Sequence, residues 1–285
     1  MTYNNGTRLI ATAEGSSAIQ LFDLTSASHT GTWTSLGVLG SLQQVRKVAK
    51  IDTSNPSMTK VYLGLRYGMA IVDIAEPAGT MTIEQISNGT CSQCGNGAVM
   101  GEYMLEGSSN FNTNTFLAYS YLLSSVTTAP TSIALPNNGY GANIWSSAAT
   151  VDGTKGFVGG VVGGFFSYDL SSPATPPALT YRFRSTVATD PERDSVFVTE
   201  FDKTLLYNVR SDGYLDVWDV NDITHPVLIR SHSLVNAANS ATLGQLYGVR
   251  VDPVHHRAYV VSTGGWFLVY DTRMLQAPTV MPITY

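Results

Sequence analysis

The sequence predicts an all-β protein built from a repeated unit, and three observations lead to that prediction. Charged residues make up only 13% of the chain, whereas Gly (26) and Tyr (15) are abundant among its 285 residues. No segment carries a sustained 3.6-residue apolar period; instead, short apolar runs separated by turn residues recur along the chain. One pattern, an apolar strand that ends in aspartate, recurs five times. Such features are typical of a β-rich repeat protein.

The repeated aspartate sets the period. It occurs in "IQLFDL", "AIVDI", "FFSYDL", "LDVWDV" and "FLVYDT", as Asp23, Asp73, Asp169, Asp219 and Asp271. The successive spacings are 50, 96, 50 and 52 residues. The spacing of 96 is a doubled period, because "FLAYSYLL" (116–123) keeps the strand pattern and has lost the aspartate. Six copies of about 48 residues therefore account for the chain.

Each copy contains four strand patterns. An apolar strand that closes on glycine precedes the aspartate strand, as in "KVYLGLRYG", and a tight turn and a further short strand precede that one. A turn and a final strand such as "VLIRSHS" follow the aspartate. Six such units predict a six-bladed β-propeller with four-stranded antiparallel blades, and seven blades are the alternative. We expect one propeller domain, residues 1–285, with blades at about 1–40, 41–89, 90–139, 140–185, 186–237 and 238–285.

Three segments carry a family resemblance. "VYLGLRYGMAIVDIAEPAG", "LLYNVRSDGYLDVWDVNDITHPVLI" and "AYVVSTGGWFLVYDTR" resemble the LVIVD-type and YVTN-type propeller repeats in their order of strand, glycine, apolar strand, aspartate and turn. The resemblance covers five of the six units. It implies a propeller scaffold and leaves the activity open, since propellers of this kind host binding, surface, scaffold and enzymatic roles.

The repeat also predicts two local features. The five aspartates are expected to be structural, because an aspartate accepts the backbone N–H two residues further on and fixes the turn. In the first unit the turn "YNNGT" stands at residues 3–7, which leaves little room for a preceding strand. The first blade is therefore predicted to lack its innermost strand, with the natural polypeptide starting upstream of Met1.

Charge and hydropathy exclude two classes of partner. The net charge is −5, and no cluster of Lys and Arg is present to neutralise phosphates, so nucleic acid is not an expected partner. No apolar run reaches the roughly 18 residues of a membrane-spanning helix. The first residues, "MTYNNGTRLIATAEG", lack a basic segment followed by a long apolar one, so no signal peptide is expected within them. The sequons at Asn5 and Asn88 nevertheless favour N-glycosylation and an extracellular or secretory-pathway location over a cytoplasmic one.

The two cysteines, Cys91 and Cys94, stand in "NGTCSQCGNG". A zinc site would need two more soft ligands, and the sequence has no other cysteine. A thioredoxin-like pair would need a βα context that the pattern does not offer. The expected state is a small disulfide or two free thiols, with no metal and no cofactor.

The ligand is expected at the loops between blades and those joining second to third strands, which ring the central channel of a propeller. These loops combine amide groups and aromatic rings with few charges, which suits neutral ligands such as sugars. Arg66 in "LRYG" and Arg210 in "VRSDG" are expected to occupy equivalent places. The candidates are Glu14, Gln44, Arg46, Arg66, Tyr67, Tyr140, Asn143, Trp145, Arg210, Asp212, Tyr247 and Trp266.

Two functions of different classes remain open. The first is a binder of a glycan, small molecule or protein at the channel face, with the oligomeric state undetermined. The alternative is a metal-independent cyclase, isomerase or lactonase, which the resemblance to YVTN-type propellers implies. No catalytic residue is assigned, because the sequence has no GxSxG, HExxH, phosphate-cradling or dinucleotide motif. A deep apolar pocket at the channel mouth would favour the enzyme, and a shallow aromatic platform the binder.

Overall fold

A computed structural model shows the chain as a series of β-strands. It describes residues 2–3, 7–12, 18–24, 31–35, 44–76, 78–86, 97–100, 102–110, 115–125, 127, 131–134, 144–150, 152, 154–160, 165–169, 178–183, 192–234, 243–273 and 279–281, some of them by backbone alone. These ranges contain 24 strands in six four-stranded antiparallel sheets. The all-β class is therefore confirmed.

The chain divides into two compact units, Met1–Leu135 and Pro136–Tyr285. Three of the sheets belong to the first unit, and in each the strands follow chain order across the sheet. The first sheet comprises β1 (Thr2–Tyr3), β2 (Arg8–Thr12), β3 (Ala18–Asp23) and β4 (Gly31–Ser35). The second comprises β5 (Val45–Asn55), β6 (Met58–Leu65), β7 (Gly68–Ala75) and β8 (Thr80–Ile86). The third comprises β9 (Ala98–Met100), β10 (Tyr103–Asn110), β11 (Thr115–Leu122) and β12 (Thr131–Ala134).

The second unit holds the other three sheets, with the same strand order. The fourth sheet comprises β13 (Ile144–Ala149), β14 (Lys155–Gly160), β15 (Phe165–Asp169) and β16 (Ala178–Phe183). The fifth comprises β17 (Glu192–Glu200), β18 (Lys203–Arg210), β19 (Tyr214–Asp219) and β20 (Val227–Ser233). The sixth comprises β21 (Leu246–Asp252), β22 (Arg257–Ser262), β23 (Phe267–Asp271) and β24 (Thr279–Met281).

Short turns connect several of the described strands, because the sequence places suitable residues between the apolar runs. Arg66 and Tyr67 close the hairpin between β6 and β7, where Leu65 pairs with Gly68, and Gly68 has φ 131°. Phe201 and Asp202 close the hairpin between β17 and β18 with φ values of 53° and 57°. Two positive φ values in succession are the backbone of a type I′ turn, which matches the twist of the flanking strands.

The core lies between consecutive sheets of each unit. The second and third strands of the sheets β5–β8 and β17–β20 are buried along most of their length on both faces. Strands buried on both faces require a neighbouring sheet on either side. In the first unit, apolar residues of β2 and β3 pack against β6 and β7. In the second, Phe157 meets Phe197 edge-to-face at 6.4 Å, and apolar residues of β18 and β19 pack against β22 and β23.

One expectation about the first sheet is wrong. The structure shows a strand in its first position, since Thr2 pairs with Leu9 and Tyr3 pairs with Arg8. The strand is only two residues long, so it leaves no alternation of apolar and polar residues for a sequence pattern to reveal. The expected third strand at "FLAYSYLL", by contrast, is present as β11. Within the described residues, no helix is long and apolar enough to cross a membrane.

Candidate functional site

Four of the five repeated aspartates pair with a basic residue of the second strand. Backbone pairing places Asp23 opposite Arg8, Asp73 opposite Lys60, Asp169 opposite Lys155 and Asp271 opposite Arg257. The Lys60 ammonium lies 3.0 Å from the Asp73 carboxylate, and the Lys203 ammonium lies 2.6 Å from that of Asp219. Each carboxylate is thus bound within its own sheet. The basic partner is visible in the sequence, just before each glycine-closing strand.

The predicted turn geometry is observed at two of these positions. Asp219 accepts the backbone N–H of Asn221 at 3.1 Å, and Asp271 accepts that of Arg273 at 3.0 Å. The hydrogen bond from Lys203 lowers the pKa of Asp219. The hydrogen bonds from the Arg273 side chain and backbone lower the pKa of Asp271 to about 2. Both carboxylates are therefore charged at neutral pH and engaged locally. Asp169 is described by its backbone only.

The predicted ligand residues divide into those the structure describes and those outside it. Gln44, Arg46, Arg66, Tyr67, Arg210, Asp212, Tyr247 and Trp266 are described with their side chains. Trp145 lies in β13 and is described by its backbone alone. Glu14, Tyr140, Asn143, the cysteines Cys91 and Cys94, and the sequon residues Asn5 and Asn88 lie outside the described residues.

Arg66, Tyr67 and Gln44 come together at the connection between β6 and β7. The backbone N–H of Arg66 donates to the carbonyl of Gln44 at 2.8 Å, and its guanidinium lies 5.2 Å from the centre of the Tyr67 ring. The Nε atom is buried with no hydrogen-bond acceptor. No carboxylate in the described ranges forms an ion pair with this guanidinium. A buried donor without an acceptor costs about 1–3 kcal/mol, so this arginine calls for an explanation.

Arg210 stands at the corresponding connection of the fifth sheet and is neutralised there. Its Nε donates to Asp212 at 3.0 Å, and its Nη1 donates to Asp216 at 3.1 Å. The guanidinium also stacks on the Tyr214 ring at 4.5 Å. Asp216 is 3% exposed, and burial raises its pKa against the opposing hydrogen bonds from Ser231 and Arg210. The carboxylates on both sides hold this arginine inside its own sheet.

The two arginines are one position apart in the sheet register. When the two sheets are aligned on Asp73 and Asp219, Lys60, which pairs with Asp73, corresponds to Leu205, which pairs with Asp219. Arg210 therefore corresponds to Leu65, and Arg66 lies one residue further along the chain. The expected equivalence of Arg66 and Arg210 holds for the connection, which is the same in both sheets, but not for the residue position. Because successive side chains of a strand point to opposite faces, a one-residue offset changes what a side chain can contact.

Two further predicted residues lie at the same end of the last sheets. Tyr247 carries Arg193 over its ring at 5.7 Å, and the Arg193 guanidinium donates to the Gln245 side chain at 2.9 Å. Trp266 is partly buried and packs against the core between the fifth and sixth sheets. Tyr247 is thus part of a polar surface, whereas much of the Trp266 ring serves packing.

A pocket of about 380 Å³, here called the intersheet pocket, lies between the fifth and sixth sheets. It is at the end of these sheets where the first and second strands connect, opposite to the end of Arg210. Its walls are apolar and aromatic, and three cations stand among them. The lining residues are Phe201, Lys203, Leu205, Tyr207, Val217, Ile229, Arg230, Tyr270, Thr272 and Arg273.

A buried carboxylate, Glu200, ties the two walls of the intersheet pocket together. Glu200 is 4% exposed and accepts hydrogen bonds from the Tyr207 hydroxyl at 2.8 Å and the Thr272 hydroxyl at 2.5 Å. The His256 Nδ1 lies 2.6 Å from the same carboxylate. Burial, followed by the hydrogen bond to Glu200, raises the pKa of Tyr207, so its hydroxyl stays protonated and donating. A buried charge of this kind is stable because all its partners are in place.

The mouth of the intersheet pocket is unusual in conformation and in exposure. Phe201 is 50% exposed, has φ 53°, and stacks on the His256 ring at 5.0 Å. The positive φ belongs to the type I′ turn between β17 and β18, where a bulky residue such as Phe is uncommon. Beside it, the outer strand β20 exposes Val227, Leu228 and Ile229. The pocket therefore opens onto an apolar surface.

Sequence reasoning missed the intersheet pocket and its carboxylate. Glu200 falls in "VFVTEF", where it ends a strand pattern, and His256 stands in the turn pattern "VDPVHH", and neither is among the ligand candidates of the sequence. The one signal available was "EFD", an acidic residue before a Phe-Asp turn. The described residues contain no group of three or more His, Cys, Asp or Glu side chains that could hold a metal ion.

Comparison with known proteins identifies the fold. No protein-family model matches the chain, and no curated protein is similar to it in sequence. Among solved structures it is similar to Chaetomium thermophilum Raptor, with a TM-score of 0.72 and 11% identity over 100% of this chain and 24% of that one. It is also similar to the β-propeller domain of Myceliophteria thermophila Cps50 (Swd1), with a TM-score of 0.61 and 12% identity over 95% of this chain and 81% of that one.

These likenesses show the fold and nothing further. The chain is a β-propeller, as its four-stranded antiparallel sheets and its similarity to a propeller domain show. It spans about a quarter of the length of the Raptor chain. The number of blades and the single-domain organisation stay predictions. A propeller supports a binding or scaffold role in general.

Proposed function

We propose that this β-propeller is a non-catalytic binding module that holds an extended segment of a protein partner in the intersheet pocket. The observation that carries the proposal is the pocket itself, about 380 Å³ in volume, between two packed sheets. Protein pockets that bind ligands have volumes of roughly 300–1,000 Å³ and predominantly apolar walls with a few polar groups. The intersheet pocket has this size and this composition.

Its lining favours an apolar side chain flanked by carboxylates. Leu205, Val217 and Ile229 line the pocket with aliphatic groups. Lys203 and Arg273 also line it, and each contacts an aspartate of its own sheet, which holds the cation in place. Among the described residues that line the pocket, none is acidic. The complementary partner is a segment in which a large apolar residue stands next to Asp or Glu.

The outer strand favours a protein segment over a small molecule. In the described part of the chain β20 pairs with β19 along one edge, and its other edge carries no strand. Its first three residues are consecutive apolar residues exposed to solvent. A free edge and an exposed apolar surface beside a pocket are the features to which extended peptides add as a further strand.

Peptide binding tests the proposal directly. Blocked eight-residue peptides that alternate Leu with Glu are expected to bind, as followed by fluorescence anisotropy, and Ile229→Asp is expected to weaken binding at least tenfold. Val254→Asp is the matched control, because Val254 is 79% exposed and does not line the pocket. Peptides that alternate Leu with Lys should bind more weakly. Equal binding of both peptides, or unchanged binding by Ile229→Asp, would contradict the proposal.

The sequence also supports expectations about the repeat type, the location of the protein and a second ligand. We propose that the repeats are of the LVIVD or YVTN type, and that the protein acts outside the cytoplasm. The loop candidates Tyr140 and Asn143, which lie outside the described residues, would then bind a neutral ligand such as a glycan. The low charge of these loops and the two sequons support this.

One observation favours the enzymatic alternative. Glu200 lies 2.6 Å from the His256 Nδ1, and a carboxylate in this position orients the ring so that Nε2 can act as a base. The apolar pocket beside it would hold a lactone, although it lies opposite to the predicted channel face. Hydrolysis of dihydrocoumarin that is abolished in His256→Gln and kept in His255→Gln would support a lactonase; no hydrolysis by the natural chain would contradict it.

A further inference from the structure

We infer that Arg66, with Tyr67 and Gln44 beside it, forms a binding site for the carboxylate of a ligand at the connection between β6 and β7. This connection lies in the first unit, whereas the intersheet pocket lies in the second. The Nε of the Arg66 guanidinium is buried and has no acceptor. The terminal nitrogens make no hydrogen bond to a described residue and are not among the buried atoms that lack a partner, so they are accessible to solvent.

Arg210 shows which chemistry satisfies a guanidinium at this connection of the repeat. There the donors of one arginine are shared between Asp212 and Asp216. In the second sheet, the position that corresponds to Asp216 is Ala70, which is fully buried and carries no acceptor. Among the described residues the sheet therefore offers Arg66 no carboxylate. A carboxylate brought by a ligand would bind the terminal nitrogens of Arg66, which at Arg210 donate to Asp212 and Asp216.

Tyr67 and Gln44 position the arginine for such a ligand. The Tyr67 ring lies 5.2 Å from the guanidinium carbon, which restricts the plane of the fork. An arginine restricted in this way binds carboxylates through two parallel N–H···O bonds, a geometry that lysine cannot reproduce. The backbone hydrogen bond from Arg66 to the carbonyl of Gln44 fixes the position at which the Arg66 side chain leaves the turn. All three residues were predicted ligand candidates.

Arginine-selective NMR of the full chain tests the site. The Nε–H resonance of Arg66 is followed during titration with benzoate, with benzamide as the neutral analogue, with inorganic phosphate, and with a blocked Gly-Glu-Phe peptide. Benzoate and the peptide are expected to shift this resonance, and benzamide is not. Tighter binding of benzoate points to a small carboxylic acid as the ligand, and tighter binding of the peptide to an acidic residue of a protein.

Three variants decide the role of Arg66. Arg66→Gln should weaken benzoate binding at least tenfold, and Arg66→Lys should weaken it severalfold because the charge is kept and the fork is lost. Arg210→Gln, the matched control, should leave it unchanged within twofold. Equal binding of benzoate and benzamide, binding of phosphate only, or unchanged binding by Arg66→Gln would overturn the inference. If a variant does not fold, the comparison of benzoate with benzamide on the wild-type protein still tests the site.

Discussion

The second and fifth sheets are two copies of one repeat, and they differ at the ends of their strands. Both keep a lysine bound to the aspartate that ends the third strand, Lys60 with Asp73 and Lys203 with Asp219. At the end of the first strand, however, the second sheet has the exposed Asn55, and the fifth has the buried Glu200. The two copies thus share the lysine–aspartate contact within each sheet and differ in the residues that face a neighbouring sheet.

The outer strands differ in the same way. In β8 apolar residues alternate with polar ones, and Met81 and Ile83 pack against the core. In β20 the apolar residues are consecutive, "VLI", and all three are exposed. A strand turns alternate side chains to opposite faces, so three consecutive apolar residues cannot all reach one core. The fifth sheet therefore presents an apolar surface where the second does not.

The largest effect is expected at the end of the first strand. Glu200→Ala removes the acceptor shared by Tyr207, Thr272 and His256, and should lower the free energy of unfolding by about 3 kcal/mol, as expected when a buried charge network loses one member. Asn55→Ala, the matched change in the second sheet, should cost roughly 0.5 kcal/mol. Urea denaturation measures both. Equal losses of unfolding free energy would show that the burial of Glu200 does not distinguish the fifth sheet from the second.

A smaller effect is expected at the arginine connection of the fifth sheet. Asp216→Ala leaves Arg210 without its buried acceptor and Ser231 without a partner, and should lower the free energy of unfolding by about 2 kcal/mol. The control is Asp212→Ala, which removes the more exposed carboxylate from the same guanidinium and should cost less than about 1 kcal/mol. If Asp212→Ala proved the more damaging of the two, burial of the carboxylate would not be the deciding factor.

The smallest effect concerns the lysine–aspartate pair that both copies share. The pKa of Asp219 is lowered in the folded state, so its ionised form stabilises the fold above the ordinary value of 3.8, and this contribution is lost as pH falls below it. Asp219→Asn should therefore lower the free energy of unfolding at pH 7 by at most about 1 kcal/mol, with a corresponding decrease in Tm. At pH 3 the decrease in Tm should be smaller.

Thermal unfolding of the wild type and Asp219→Asn between pH 7 and pH 2.5 provides the measurement. Asp73→Asn is the matched variant in the second sheet, and a similar loss at pH 7 would mark the pair as a shared element of the repeat. A difference between wild type and Asp219→Asn that stayed constant across this range would contradict the assigned role of the ionised carboxylate.

Much of the fold follows from local patterns, and the candidate site does not. The end of β19 at Asp219 follows from apolar residues that alternate up to a turn, a relation between neighbours in the sequence. Glu200 and His256 are 56 residues apart, and Glu200 and Thr272 are 72 apart. No pattern relates residues at such separations, so the carboxylate network became visible only in the folded chain. The one-residue offset between Arg66 and Arg210 likewise depends on the strand pairing.

The sequence by itself determined the repeat, the strands of the units after the first and the β-propeller architecture, because alternation, turn residues and period are local properties of the chain. Only the tertiary structure decided which side chains meet between sheets. It joined Glu200 to Tyr207 and Thr272, which line the intersheet pocket, gave Arg210 two carboxylates, and left Arg66 with none among the described residues. The physical reason is that burial and ion pairing depend on the face that a neighbouring sheet covers, which strand periodicity alone does not specify.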